Sequence, residues 1–401
     1  MRRISTGMVM MLMLSAATAG ADEPSQWRGV QHDGVYHETI DWPAGGPREL
    51  WAVDVGIGYS GFAISDGRVY TMGNVDGEDV IWCLNADTGR EVWSARYPQE
   101  LVPLYNPGGP NAAPVVEGEW LYTLSKQGLL TCWGQADGVV RWRIDLVKQA
   151  GAEMPRWGFA STPLIIDDVI YLNANEHGMA IDKHTGKVVW SSPAAECGYA
   201  AAIAMTCRDQ PALALLSGKA VFVVQRDNGQ VMWRVDWPTK MGENSADPIA
   251  ADGLLYVSSW WGMGAAVYDP NVDGVEPRWR NKELQNHISS PVLHDGYLYG
   301  FDGPVHRDRV AGAMRCVQWA TGKTMWSHPG LKGSVICAGD QLLILSHDGA
   351  LILADASPAG YHERARIEGL GKRTWNYPVP HRGRIYIRDA DGRAICLTTR
   401  P

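Results

Sequence analysis

The chain has 401 residues, a formal net charge of −8 and a sequence pI of about 5.8. No basic block interrupts it, which excludes the cationic face that a nucleic-acid partner needs. Hydrophobic residues at 45% and charged residues at 20% fit a globular protein with a large core, and 18 Trp against only 4 Phe implies a positional rule that asks for indole.

In chain order, Met1-Arg2-Arg3 precedes an apolar run from Met8 to Leu14 and the small residues Ser15 to Ala21. This is the pattern of a secretory signal with an A-x-A cleavage site at Ala17-Thr18-Ala19 or Ala19-Gly20-Ala21. The apolar run is too short to span a bilayer, and no later segment reads as a membrane span. The division expected is a signal peptide over 1–21, a leader over 22–47 and one domain over 48–401. A periplasmic or secreted location follows, with no cysteine near the cleavage site to carry a lipid anchor.

From residue 48 onward one pattern recurs: a small residue, an apolar one, a polar one, then Gly four residues before Trp. Cys83 to Trp93, Ala180 to Trp190 and Cys316 to Trp326 show it in full. Weaker copies end at Trp142, Trp233 and Trp279, Trp51 carries only the tail of a copy, and a copy near Ala354 to Ala365 has lost its Trp. The tryptophans recur every 42–49 residues, the length of a four-stranded propeller blade. The Asp/Asn-x-Gly core reads as a tight turn joining two outer strands. Trp51, Trp93, Trp142, Trp190, Trp233, Trp279 and Trp326 are thus expected to dock one blade on the next.

Upstream of each turn lies a second block: small-small-Pro-apolar, a Gly turn, then an apolar-Tyr strand. Ala112-Ala113-Pro114-Val115 with Leu121-Tyr122 and Ser289-Ser290-Pro291-Val292 with Leu298-Tyr299 are examples. Small residues suit the crowded strand at a propeller axis. The chain ends at Asp391 to Leu397, a copy without its Trp strand, and opens at Glu49 to Val53, a Trp strand without the rest. Pairing the two completes a blade and closes the ring. The fold expected is all-β: an eight-bladed propeller of four-stranded antiparallel blades, closed by its N- and C-terminal strands.

Of the 7 cysteines, Cys83, Cys132, Cys316 and Cys396 fill the slot that Ala180 fills in the third copy. Equivalent positions on separate blades stand too far apart to bond, so these read as small buried side chains. Cys337 is assigned to an inner strand, and Cys197 with Cys207 is the one pair whose spacing leaves a bridge open. No C-x-x-C occurs, so no structural metal site is expected.

The A-x-D-x-x-T-G-x-x-x-W repeat, clearest at Ala180–Trp190, resembles the PQQ-like repeat of the quinoprotein alcohol dehydrogenase-like superfamily. Nearly the whole mature chain fits. The leader Trp27-Arg28-Gly29 with Asp33-Gly34-Val35, Pro155-Arg156-Trp157-Gly158 and Asn286-His287 resemble its secreted members. The resemblance implies three branches. Quinoprotein dehydrogenases hold PQQ and Ca²⁺ on the axis, usually beside a Cys-Cys pair that this chain lacks. The BamB-like branch is an eight-bladed, non-catalytic scaffold of similar size, normally anchored through a cysteine. The third is soluble exported propellers.

The expected site is the mouth of the axial channel, just before the innermost strands. Alignment on the Pro blocks places Tyr59, Asn111, Phe159, Tyr199, Asn244, His287, Lys332 and Asn376 there, able to hold a small ligand or peptide loop. The alternative is that they only satisfy strand-end backbone groups. His287 reads as structural, because no second His or carboxylate lies at ligand spacing. His306-Arg307-Asp308-Arg309 reads as a solvated loop, and Trp260-Trp261 as interblade packing with ring stacking as the alternative. Convergent carboxylates, an Asn and a flat aromatic floor at the mouth would point instead to an enzyme. The function expected is a monomeric, non-catalytic scaffold in the cell envelope, binding a protein partner or small ligand without cofactor or metal. The rival is a PQQ- and Ca²⁺-dependent alcohol or sugar dehydrogenase.

Overall fold

Tryptophan docking closes the ring. In the computed structural model, which describes residues 23–400 apart from 102, 104–106 and 306–309, eight sheets follow one another along the chain. Seven consist of consecutive antiparallel strands: blade 1 (63–98), blade 2 (115–145), blade 3 (164–191), blade 4 (203–236), blade 5 (249–281), blade 6 (292–329) and blade 7 (333–367). Blade 8 takes its three inner strands from 379–398 and its outer strand, Arg48–Asp54, from the other end of the chain. Trp51 faces Cys396 in that pairing. The proposed signal segment and His306–Arg309 lie outside the described residues.

The recurrent residues line up across strands. Tyr70, Cys83 and Trp93 are cross-strand neighbours in blade 1, as are Tyr122, Cys132 and Trp142 in blade 2 and Tyr171, Ala180 and Trp190 in blade 3. A small residue in the middle lets the flanking rings approach, with Tyr70–Trp93 and Tyr122–Trp142 both 6.1 Å apart. Each Trp then leans onto the next blade. Trp142 donates its indole N–H to Lys183 O at 2.9 Å, and its ring lies where a Cβ on Gly186 would come within 2.6 Å. Gly186 also has φ +71°, so both the turn and the indole face require glycine there. Equivalent bonds run from Trp51 to Ala86 O, Trp93 to Gln135 O, Trp190 to Arg226 O, Trp233 to Gly274 O, Trp279 to Trp319 O and Trp326 to Ser357 O. The turn between the two outer strands of blade 7 has lost its own Trp but still receives Trp326.

All seven cysteines are buried and free. Cys197 packs between blades 2 and 3 and Cys207 in the core of blades 4 and 5, so they do not bridge. Cys337 lies in the innermost strand of blade 7, Gly333–Ala338. Among the described residues no helix is long and apolar enough to cross a membrane.

The leader fills the axis. Blade 1's Ile64 and blade 2's Val116 donate backbone N–H to Pro24 O and Ser25 O. The strand Val35–Tyr36 then pairs in parallel with Cys337 and Ala338, making blade 7 five-stranded. These partners lie toward the far ends of the innermost strands. The leader therefore enters opposite the mouth, turns at Trp27–Gly34 and leaves beside its entry. Gly34 N–H donates to Arg28 O at 3.0 Å and closes the tip.

Candidate functional site at the axial mouth

The segments entering the innermost strands converge on one cavity of about 430 Å³, within the range of small-ligand sites. Beneath it a hydrogen-bonded belt links successive blades. Ala113 N–H donates to Thr162 Oγ1, Ala201 N–H to Asp247 Oδ1 and Asp247 N–H to Ser290 Oγ. The belt uses the residue just before each proline, or its equivalent in blade 4. Small or short polar side chains are what fit where the blades crowd.

Asp247 is the charged member of the belt, and it holds the leader. Its Oδ2 accepts the Trp27 indole N–H at 2.9 Å and lies 3.5 Å from Arg28 Nη1. This ion pair is almost fully buried, at 0% and 4% exposure. Arg28 Nη2 also donates to Pro291 O at 2.5 Å and Asp33 O at 2.9 Å, and the guanidinium lies 5.3 Å from the Tyr377 ring centre. Trp27 meets Tyr377 edge-on at 5.1 Å. The tip of the leader is thereby fixed as the floor of the cavity.

Seven aromatic side chains face the space: Trp27, Tyr59, Trp157, Tyr199, Trp261, Trp375 and Tyr377. Tyr59 stacks on Trp375 at 4.5 Å and 15°. Tyr199 OH accepts the Trp157 backbone N–H at 3.3 Å. Burial pushes both tyrosine hydroxyls well above their usual pKa, so they are neutral at the mouth. Glu243 stands in the wall with Oε1 3.0 Å from His287 Nε2 and Oε2 3.0 Å from Trp261 Nε1, which donates to it. Lys240 Nζ sits 5.6 Å from the Trp261 ring centre.

Of the eight residues expected here, Tyr59, Asn111, Tyr199 and Asn376 line the cavity, and the other four do not. Phe159 is driven into the core between blades 2 and 3, its ring against Gly128. Asn244 turns away to donate to Ser217 O and Trp237 O. His287 stands behind Glu243, a carboxylate 44 positions away in the chain that sequence spacing could not pair with it. Lys332 lies over Gly312, and blade 7 sends no residue to the wall. Trp261 faces the cavity rather than an interblade seam, with Trp260 packed against it at 4.4 Å and edge-on to His287 at 5.6 Å. Sequence reasoning missed the lining roles of Trp27, Trp157, Trp375, Glu243 and Asp247. A usable signal was present: all four lining tryptophans fall outside the docking slot.

Three comparisons bear on most of the chain. The family model for outer membrane protein assembly factor BamB matches residues 43–107 and 102–326. The chain belongs to this family. The outer membrane protein assembly factor BamB of Yersinia pestis is 21% identical over 347 residues, covering 77% of this chain and 76% of that protein. Among solved structures, BamB from Moraxella catarrhalis superposes with a TM-score of 0.63 at 15% identity, over 88% of this chain and 97% of that one. The quinohemoprotein alcohol dehydrogenase of Comamonas testosteroni gives 0.65 at 11% identity, over 94% and 80%. At these identities the structural likeness shows the shared propeller, common to scaffolds and dehydrogenases.

Proposed function

We propose that this protein is an exported, non-catalytic binding propeller that receives a small ligand, or a ring-bearing group of a partner in the cell envelope, in its axial mouth. One observation carries the reading: an aromatic cavity open to solvent on one side and closed beneath by the Trp27–Arg28 tip. The BamB relationship supports a scaffold role over a catalytic one.

PQQ with Ca²⁺ does not fit these residues. Calcium asks for several free oxygens around one point. Asp247 is engaged by Arg28, the Trp27 indole and the Ala201 N–H, and both Glu243 oxygens are taken by His287 and Trp261. The one group of possible metal ligands among the described residues, His294 with Asp295 and Asp340, lies outside this cavity and is largely exposed. A quinone tricarboxylate would also face Glu243 and Asp247, with Lys240 as the only basic side chain in the wall among the described residues. The carboxylates and aromatic floor that would suggest an enzyme are present, but they are committed to holding the wall.

The test is a screen of several hundred flat-ring fragments by intrinsic tryptophan fluorescence, run in parallel on wild type and Trp375→Ala. Binders should lose at least tenfold in affinity in the variant, and dye reduction with added PQQ, Ca²⁺ and alcohols should stay at background. A screen without a Trp375-dependent binder would count against the mouth as a site. Turnover of any alcohol would restore the dehydrogenase.

A further inference from the structure

We infer that the ligand class of the mouth is a neutral sugar ring, a pyranose alone or at the end of a glycan; this rests on the mouth being a binding site. The first argument is the balance of charge. Asp247 is matched by Arg28, and the remaining charged groups in the wall are Glu243 and Lys240. A full cation would meet Lys240 over Trp261 and Arg28 behind Tyr377. A polyanion would meet both carboxylates. A neutral ligand meets neither penalty.

The second argument is the pairing of surfaces. Aromatic faces are electron-rich and favour a partner with weakly positive hydrogens, as the C–H face of a pyranose presents. The uncharged groups Asn111, Thr162, Ser245 and Asn376 share the wall with the rings, which suits a ligand whose edge carries hydroxyls. A flat hydrocarbon would leave those groups dry.

The third argument is unsatisfied hydrogen-bonding capacity. Asn376 is 1% exposed and its Nδ2 has no partner, and Tyr59 is 7% exposed and its hydroxyl has none. Both residues line the cavity. Both atoms are closed off in this structure, and a buried donor without an acceptor costs about 1–3 kcal/mol, so a ligand that turns these side chains toward the cavity and supplies acceptors recovers that cost. Hydroxyl and ring oxygens do so without bringing charge. The Tyr59–Trp375 stack sets one of these donors beside a second aromatic ring of the cavity wall.

The experiment is a glycan array probed with the purified full-length mature protein, followed by fluorescence titration with the methyl glycosides of retained sugars. Binding should be saturable. Tyr59→Phe, which removes only the unpartnered hydroxyl, should weaken it about fivefold to tenfold, and Trp375→Ala more than fiftyfold. Circular dichroism and thermal unfolding verify that both variants fold. If no glycan is retained while tetramethylammonium or 2-methyl-1,4-naphthoquinone binds in a Trp375-dependent way, the sugar assignment is overturned and the mouth remains a site. Glycan binding that ignores both substitutions overturns the assignment too. If no probe of any class binds, the assignment and the mouth reading fall together.

Discussion

Trp142 and Trp375 are both half-buried indoles at the edge of a blade, and they serve opposite ends. Trp142 lies flat on the Gly186 turn of the next blade and gives its N–H to a backbone carbonyl. Its six counterparts also donate to a carbonyl of the next blade, and four of them lie on a glycine there. Trp375 lies on Tyr59, faces the cavity and gives its N–H to His347 Nδ1. No other blade repeats that arrangement among the described residues. The rim is built by one rule copied, whereas the mouth is built by departures from it. Substitutions at the two regions should therefore separate stability from binding.

The largest loss of stability is expected where the two regions meet. Asp247→Asn leaves the Arg28 guanidinium buried without its counter-charge, which costs about 3–5 kcal/mol. The leader should then release, seen as new proteolytic cleavage within 23–47 and a lower midpoint in urea. Adding Arg28→Met should restore much of the lost stability, because removing both charges leaves nothing to desolvate. A single variant as stable as wild type would mean that the leader is not held by this pair.

Next comes the rim. Trp142→Ala removes the ring and the bond to Lys183 O and should cost about 3 kcal/mol, toward the lower end for Trp→Ala because the indole is only half buried. Ligand affinity should not change. Gly186→Ala attacks the same contact from the other side, through a φ of +71° and a Cβ 2.6 Å from the indole. It should be destabilising too, with an effect not additive with the first. Additive losses would show that Trp and Gly are independent features.

Blade 1 and the leader also differ in their response to pH. Burial raises the Asp79 carboxyl in blade 1 to about 6. Its folded form holds a proton that the unfolded chain has released, so it removes stability as pH rises from about 4 to 6. His32, in the leader, is pushed down to about 4 by burial. The unfolded chain takes up a proton there first, so stability is lost as pH falls from 6.5 toward 4. The two slopes oppose each other, at roughly 3 kcal/mol apiece, so removing either group should tilt the pH profile of stability in the direction set by the other. Asp79→Asn should unmask the acid loss and His32→Gln the opposite trend, measured by urea unfolding at each pH. Parallel slopes in both variants would contradict the assignment.

How far this division was legible in the sequence follows from the same physics. The rim could be read because a small residue, a tight turn and an indole recur together every 42–49 residues, and a repeated pattern survives drift in everything else. The closure of Trp51 on Cys396 was legible for that reason. The mouth was legible in position but not in direction. Glu243 and Asn244 are adjacent, yet one faces the cavity and the other caps carbonyls beneath it. Which way a residue points in an irregular approach segment depends on the blades beside it. The leader was the least legible part, since nothing periodic announces that Trp27 will floor a cavity made by other blades.

The smallest effect on stability should accompany the largest on binding. Trp375→Ala removes a half-buried ring stacked on Tyr59 and bonded to His347, so the loss should be near that of an aromatic pair and one hydrogen bond, about 2 kcal/mol. The unfolding midpoint should move only slightly, while ligand affinity collapses. Trp142→Ala should show the reverse pattern. If instead Trp375→Ala unfolds the ring as readily as Trp142→Ala, the mouth aromatics are part of the scaffold. The cavity they line would then be a by-product of packing, because side chains kept for a ligand contribute little to holding blades together.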